Sequence, residues 1–111
     1  MVDVLIVLIK QIAGELDEFN QPTVTETRTD VFAASVPVSR SEYYRAGEKG
    51  IRPEFEFEIN PAEYHGETIV EYTDETGKTS RLRIYRTYEA GPDKLELYCS
   101  AAAGLNERAQ Q

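Results

Sequence analysis

This chain has no second cysteine and no second histidine. Cys99 alone cannot form an internal disulfide, and a reducing compartment is the simpler setting for it. His65, in a polar loop between Tyr64 and Gly66, reads as a surface residue and not as a catalytic base or metal ligand. Positive charge is also scarce: twelve Lys and Arg face twenty Asp and Glu, for a net charge of −8. Such a surface repels polyanions and argues against whole-molecule binding to duplex DNA, whose affinity rests on neutralised phosphates. Long apolar runs are missing too. Residues 4–9 make a run of six, whereas a membrane-spanning helix needs roughly 20. A signal peptide would want a basic start, and Asp3 stands there instead. No membrane partner is expected. Internal repeats and low-complexity tracts are absent.

The 111 residues fit one domain with one core. An apolar share of 41% and a charged share of 29% are those of a globular chain. Residues 4–12 read as a first strand, with the run 4–9 buried in the core or shared between core and interface. The polar stretch 14–22 reads as a long hairpin loop, and Thr23-Val24-Thr25-Glu26-Thr27 as a second strand continuing through Val31-Phe32-Ala33. Pro37 marks its end. Ser39-Arg40-Ser41-Glu42 has the capping-box pattern, in which cap and Glu side chains satisfy each other's backbone N–H. A helical turn or two follows over residues 42–46, stopped by Gly47. From Glu54 the period is two, with Glu54, Glu56 and Glu58 on one face and Phe55, Phe57 and Ile59 on the other. Strands over 68–72, 79–88 and 94–99 follow, joined by turns at 74–77 and 90–93. Arg81, Arg83 and Tyr85 fall opposite Leu82 and Ile84. The fold class is therefore all-β: a small antiparallel barrel of about six strands, with one short helix in a long loop. Residues 1–100 would form it, and 101–111 a flexible tail.

Chemistry-bearing constellations are few. Cys99 alternates with Leu95 and Leu97, which points it into the core, where a thiol is inert. Glu54, Glu56 and Glu58 share a strand face but lack the glycine-centred turn of a calcium loop. Gly47-Glu48-Lys49-Gly50 and Gly77-Lys78 lack phosphate-loop spacing. The expectation is no catalytic residue, no metal and no cofactor: not an enzyme.

Charge is unevenly distributed. Residues 54–75 hold eight acids and no Lys or Arg, while 78–94 hold five basic residues. Two readings are open. The stretches face each other within one sheet, with Arg81 and Arg83 meeting Glu54, Glu56 and Glu58 as cross-strand pairs. Or one subunit's acidic face meets a neighbour's basic face. Separately, Arg81-Leu82-Arg83-Ile84-Tyr85-Arg86-Thr87-Tyr88 interleaves arginine and tyrosine, as sheet-based binders of single-stranded nucleic acid do. The structural alternative is that Tyr85 and Tyr88 cap the core.

Ser39-Arg40-Ser41-Glu42-Tyr43-Tyr44-Arg45-Ala46-Gly47, followed by Gly50-Ile51-Arg52-Pro53-Glu54-Phe55, resembles the head–tail adaptor or head-closure (stopper) proteins of long-tailed phages. Tyr64-His65-Gly66-Glu67, Ile84-Tyr85-Arg86-Thr87-Tyr88 and Leu95-Glu96-Leu97-Tyr98-Cys99 agree in order and spacing. The likeness covers about residues 1–100 and departs at the alanine-rich tail and at the turn 73–79. It implies a virion neck protein: a homo-oligomeric ring with the portal or adaptor above and a tail-terminator or tail protein below. DNA would pass through the channel without specific binding, and the acidic surface would let the duplex slide. The loop of residues 39–53 would lie at the lumen or at subunit contacts, with Ser39, Glu42, Tyr43, Tyr44, Arg45, Ile51 and Arg52 as interface or closure residues. The alternatives are another neck or tail-completion part, or a single-stranded nucleic-acid binder.

Overall fold

The computed structural model describes residues 2–101. In chain order the elements are β1 (Val2–Leu16), β2 (Pro22–Val36), α1 (Arg40–Gly47), β3 (Pro53–Ile59), a 3-10 turn (Pro61–Glu63), β4 (Ile69–Thr73), β5 (Thr79–Gly91) and β6 (Lys94–Ala101). All neighbouring strands are antiparallel, and the sheet closes on itself in the order β1-β2-β3-β6-β5-β4. The expected fold class is the one observed: six strands in a barrel-like ring and one short helix between the second and third.

The interior follows from strand alternation. Ile6 and Leu8 of β1, Val31 and Ala33 of β2, and Phe57 and Ile59 of β3 point inward. Val70, Leu82, Leu95, Leu97 and Cys99 complete the buried cluster from the other three strands. Phe55, Phe57 and Tyr72 stack within it at centroid separations of 5.2–5.7 Å. Each large side chain removed from water there contributes about 1.5–3 kcal/mol, and more where an aromatic finds an edge-to-face neighbour. Tyr64 packs on the same cluster, and its hydroxyl donates to the Glu67 carbonyl at 2.7 Å.

Several boundaries differ from the sequence reading: α1 spans Arg40–Gly47 instead of 42–46, and β5 continues to Gly91, which shortens the expected turn at 90–93. β1 runs to Leu16 and β2 starts at Pro22, so the expected loop of residues 14–22 shrinks to 17–21. Asp17 explains the shorter turn: its Oδ1 accepts from the backbone N–H groups of Phe19 and Gln21, both at 2.8 Å. Asn20 adopts φ 58°, a conformation that asparagine tolerates better than most residues. In the run of residues 4–9, Ile6 and Leu8 fill the core, while the outer side is covered only in part: Leu5 is exposed, Val7 half-buried and Ile9 fully buried. At the other end, Ala101 stands opposite Leu82 as the last residue of β6 instead of beginning a tail. The remainder of the expected tail, 102–111, lies outside the described residues.

The first hairpin outgrows the barrel. β4 pairs with β1 only over Ile6 to Ile9, and β3 with β2 only over Ala34 to Val36. Residues 10–27 therefore stand off as a two-stranded ribbon, and the molecule measures 48 × 30 × 30 Å.

Candidate functional site

The segment between β2 and β3 is held by a polar anchor. Ser39 caps α1, its Oγ accepting from the Glu42 N–H at 3.1 Å. The expected capping box is only half made. The Glu42 carboxylate does not return to the cap; it turns into the barrel wall, where the Tyr85 hydroxyl donates to Oε2 at 2.6 Å and Arg86 Nη2 donates to Oε1. Glu42 is 4% exposed, so a carboxylate that sequence alone places on a helix surface is the helix's attachment point. Burial works to raise its pKa, but the hydrogen bonds from Tyr85 and Arg86 and the charges of Arg86 and Arg45 outweigh that and hold it low. Burial and the same carboxylate push the Tyr85 hydroxyl up, so it stays a donor.

A β-bulge makes this possible. Between β5 and β6, Ile84 stands opposite Cys99 and Arg86 opposite Tyr98, which leaves Tyr85 as an extra residue. Strict alternation would send Arg86 inward with Leu82 and Ile84. The bulge returns it to the outer face, where its guanidinium lies 4.0 Å from the Tyr98 ring centroid and reaches Glu42.

With Glu42 directed inward, the helix presents Tyr43 and Tyr44 outward; Tyr44 is 71% exposed. Tyr43 and Tyr44 thus do not cover the barrel core. They line a shallow surface groove of about 480 Å³ with Ile51 and Arg52. Gly50 adopts φ 75°, and the Ile51 N–H donates to the Ala46 carbonyl at 2.9 Å, which closes the helix and turns the chain toward β3. Arg45 is exposed and 3.9 Å from Glu42. The structure thus brings Ser39, Glu42, Tyr43, Tyr44, Arg45, Ile51 and Arg52 into one surface unit.

It does not bring Arg81 and Arg83 to Glu54, Glu56 and Glu58. β6 lies between β5 and β3, so these side chains cannot be cross-strand partners. Arg81 reaches Glu26 at 2.9 Å and Glu71 at 3.8 Å, and Arg28 reaches Glu71 as well. Arg83 stands opposite Ile69 and Ser100. Tyr88 is exposed and does not cap the core.

The acidic face of β3 is also not uniformly solvated. Glu54 is exposed, but Glu56 is 7% exposed. Glu96, which sequence reasoning did not single out, sits opposite Glu58 on β6. Carboxylate oxygens of Glu56, Glu58 and Glu96 lie within 4.8 Å of one another, a spacing that oxygen ligands of a hard cation also adopt. Tyr98 donates to Glu96 at 2.5 Å, and Lys94 stands 3.8 Å from Glu58. Burial, then the charges of Glu96, Glu58 and Glu42, raise the Glu56 pKa to about 7, with Arg86 offsetting this only in part. A proton on Glu56 therefore relieves the crowding near neutral pH.

Cys99 is fully buried and its thiol pKa is pushed up by that burial, which leaves it a packing residue. The His65 side chain is 70% exposed, with Nδ1 4.0 Å from Glu67. No protein-family model, curated protein or solved structure matches this chain.

Proposed function

We propose that the chain is a structural assembly protein of the tailed-phage neck. It would form a homo-oligomeric ring joining the DNA-filled head, through portal and adaptor, to the tail, and would help close the channel. The observation that carries this is the α1 unit. Its one buried acid anchors it to the wall, while Tyr43, Tyr44 and the cations Arg40, Arg45, Lys49 and Arg52 are left exposed. That is the character of a contact surface, and it coincides with the motif on which the resemblance to head-closure proteins rests.

The nucleic-acid reading loses support at the side chains on which it depended. Arg81 and Arg86 place their guanidinium groups on Glu26, Glu71 and Glu42, so these cations are already neutralised. Of the arginines and tyrosines in the interleaved stretch, only Arg83 and Tyr88 are exposed.

The test is co-assembly: the purified chain mixed with portal and adaptor and examined by electron microscopy. The expected result is an added ring of density at the portal's tail-facing end. Replacing Tyr44 and Arg45 by alanine should leave the fold intact and weaken that addition. Salt-sensitive binding of single-stranded DNA without ring addition would replace this reading with the nucleic-acid one.

A further inference from the structure

Two surfaces are left uncovered by the rest of the described residues. The first is the ribbon of residues 10–27 beyond its root, where Glu26 meets Arg81. A two-stranded hairpin on its own is marginal in water, yet this one exposes Ile12, Leu16, Phe19 and Val24; Phe19, in the turn at the tip, is 74% exposed. The second is the outward face of α1, with Tyr43, Tyr44 and the groove beside Ile51.

The two differ in charge. The tip sequence Glu15-Leu16-Asp17-Glu18-Phe19 holds three acids and no cation. Segment 40–52 holds Arg40, Arg45, Lys49 and Arg52, all exposed, against Glu48 and Glu42, and Glu42 is turned into the wall. In a chain of net charge −8 the helix face is thus a basic and aromatic island, complementary to an acidic and apolar tip.

They also lie on different walls. The ribbon grows out of β1 and β2, whereas α1 lies over the outer faces of β3, β6 and β5, through Glu42, Arg86 and Tyr98. Around the closed sheet, β6 is opposite β1 and β5 is opposite β2. A contact between two such surfaces is heterologous: each copy uses its tip on one side and its helix face on the other, so the contact repeats and closes into a ring when the rotation allows.

We propose that the β1–β2 tip of one copy docks on the α1 face of the next, with Phe19 and Leu16 against Tyr43, Tyr44 and Ile51, and the acids Glu15 and Glu18 against the cations Arg45, Lys49 and Arg52. This names the partner surface for the assembly reading above and rests on it.

The test uses two charge-reversed full-length chains, E15K/E18K and K49E/R52E, whose side chains hold neither the turn nor the helix anchor, followed by sedimentation equilibrium. All four positions are exposed, so thermal melts should match the parent chain. The parent chain should self-associate. Each variant alone should associate at least about tenfold more weakly, because every contact then sets like charge against like. An equimolar mixture should recover, because lysine tips meet glutamate faces and acidic tips meet basic faces in alternation. Association of both variants at the parent strength, or no recovery on mixing, overturns the docking. Failure of the parent chain to self-associate also overturns it, while ring addition at the portal, read separately, still judges the neck assignment.

Discussion

The Tyr85 hydroxyl donates to the Glu42 carboxylate at 2.6 Å across 43 residues of chain. This contact, with Arg86 on the other carboxylate oxygen, decides which face of α1 meets solvent. Removing it tests the geometry directly.

Glu42→Ala should destabilise the fold by about 2 kcal/mol in urea unfolding, since it leaves a guanidinium and a hydroxyl without their acceptor. The figure sits below that for a fully buried pair because the Arg86 side chain is 33% exposed. Amide exchange should accelerate over residues 40–47 in particular. Uniform acceleration across the barrel would mean that Glu42 supports the whole sheet and not the helix alone.

Glu56 sets a pH dependence. Its folded pKa of about 7 stands above the usual 4.5, so the folded state holds a proton that the unfolded state has released across that interval. Stability from this group is full below about pH 4.5 and is lost as pH rises through about 7, by about 2–3 kcal/mol in total. Glu56→Gln should flatten the curve between those values and raise the melting temperature at pH 8. Glu42 works in the opposite sense, since its lowered pKa makes its contribution fade as pH falls through the carboxylate range. A parent chain that grows more stable from pH 5 to 8, with Glu56→Gln unchanged from it, would contradict this account.

Cys99 should resist thiol reagents in the folded chain. Burial removes both access and thiolate character, so labelling should proceed only through opening of the β3–β6–β5 wall. The expected rate at pH 8 is at least about a hundredfold below that in urea. Comparable rates in the two conditions would place the thiol at the surface.

The root of the β1–β2 ribbon is braced by Glu71, which receives Arg28 and stands 3.8 Å from Arg81. Glu71→Gln should cost no more than about 1 kcal/mol globally, because the network is partly solvated. Exchange near residues 24–28 should rise more than elsewhere, and high salt should shrink the difference. A loss of several kcal/mol would mean that the ribbon is part of the cooperative core.

What could be read in the sequence was whatever depends on near neighbours in the chain. Period-two alternation at Phe55, Phe57 and Ile59 located β3 and its inward face. Ser39 announced the helix start because a cap bonds an N–H three residues on. Pro37 ended β2, since proline cannot extend the ladder, and Cys99 followed Leu95 and Leu97 into the core. The hairpin turn was read as too long because Asp17 bonds locally to two backbone groups, a device that polar composition alone does not reveal.

The site depended on strand order and on one bulge, neither of which is local. Acids on β3 and arginines on β5 have opposite charges, but only the closed sheet shows that β6 separates them and that Arg81 belongs with Glu26 and Glu71. Alternation assigns Arg86 to the core side, and the extra residue Tyr85 reverses that assignment. The sequence by itself determined an acidic, six-stranded antiparallel fold with a capped helix before β3, because periodicity and capping act over a few residues. Tertiary structure alone decided that Glu42 faces the wall and Tyr44 the solvent. The partners that turn the helix arrive from 43 and 44 residues away, through a register shift that has no signature in spacing.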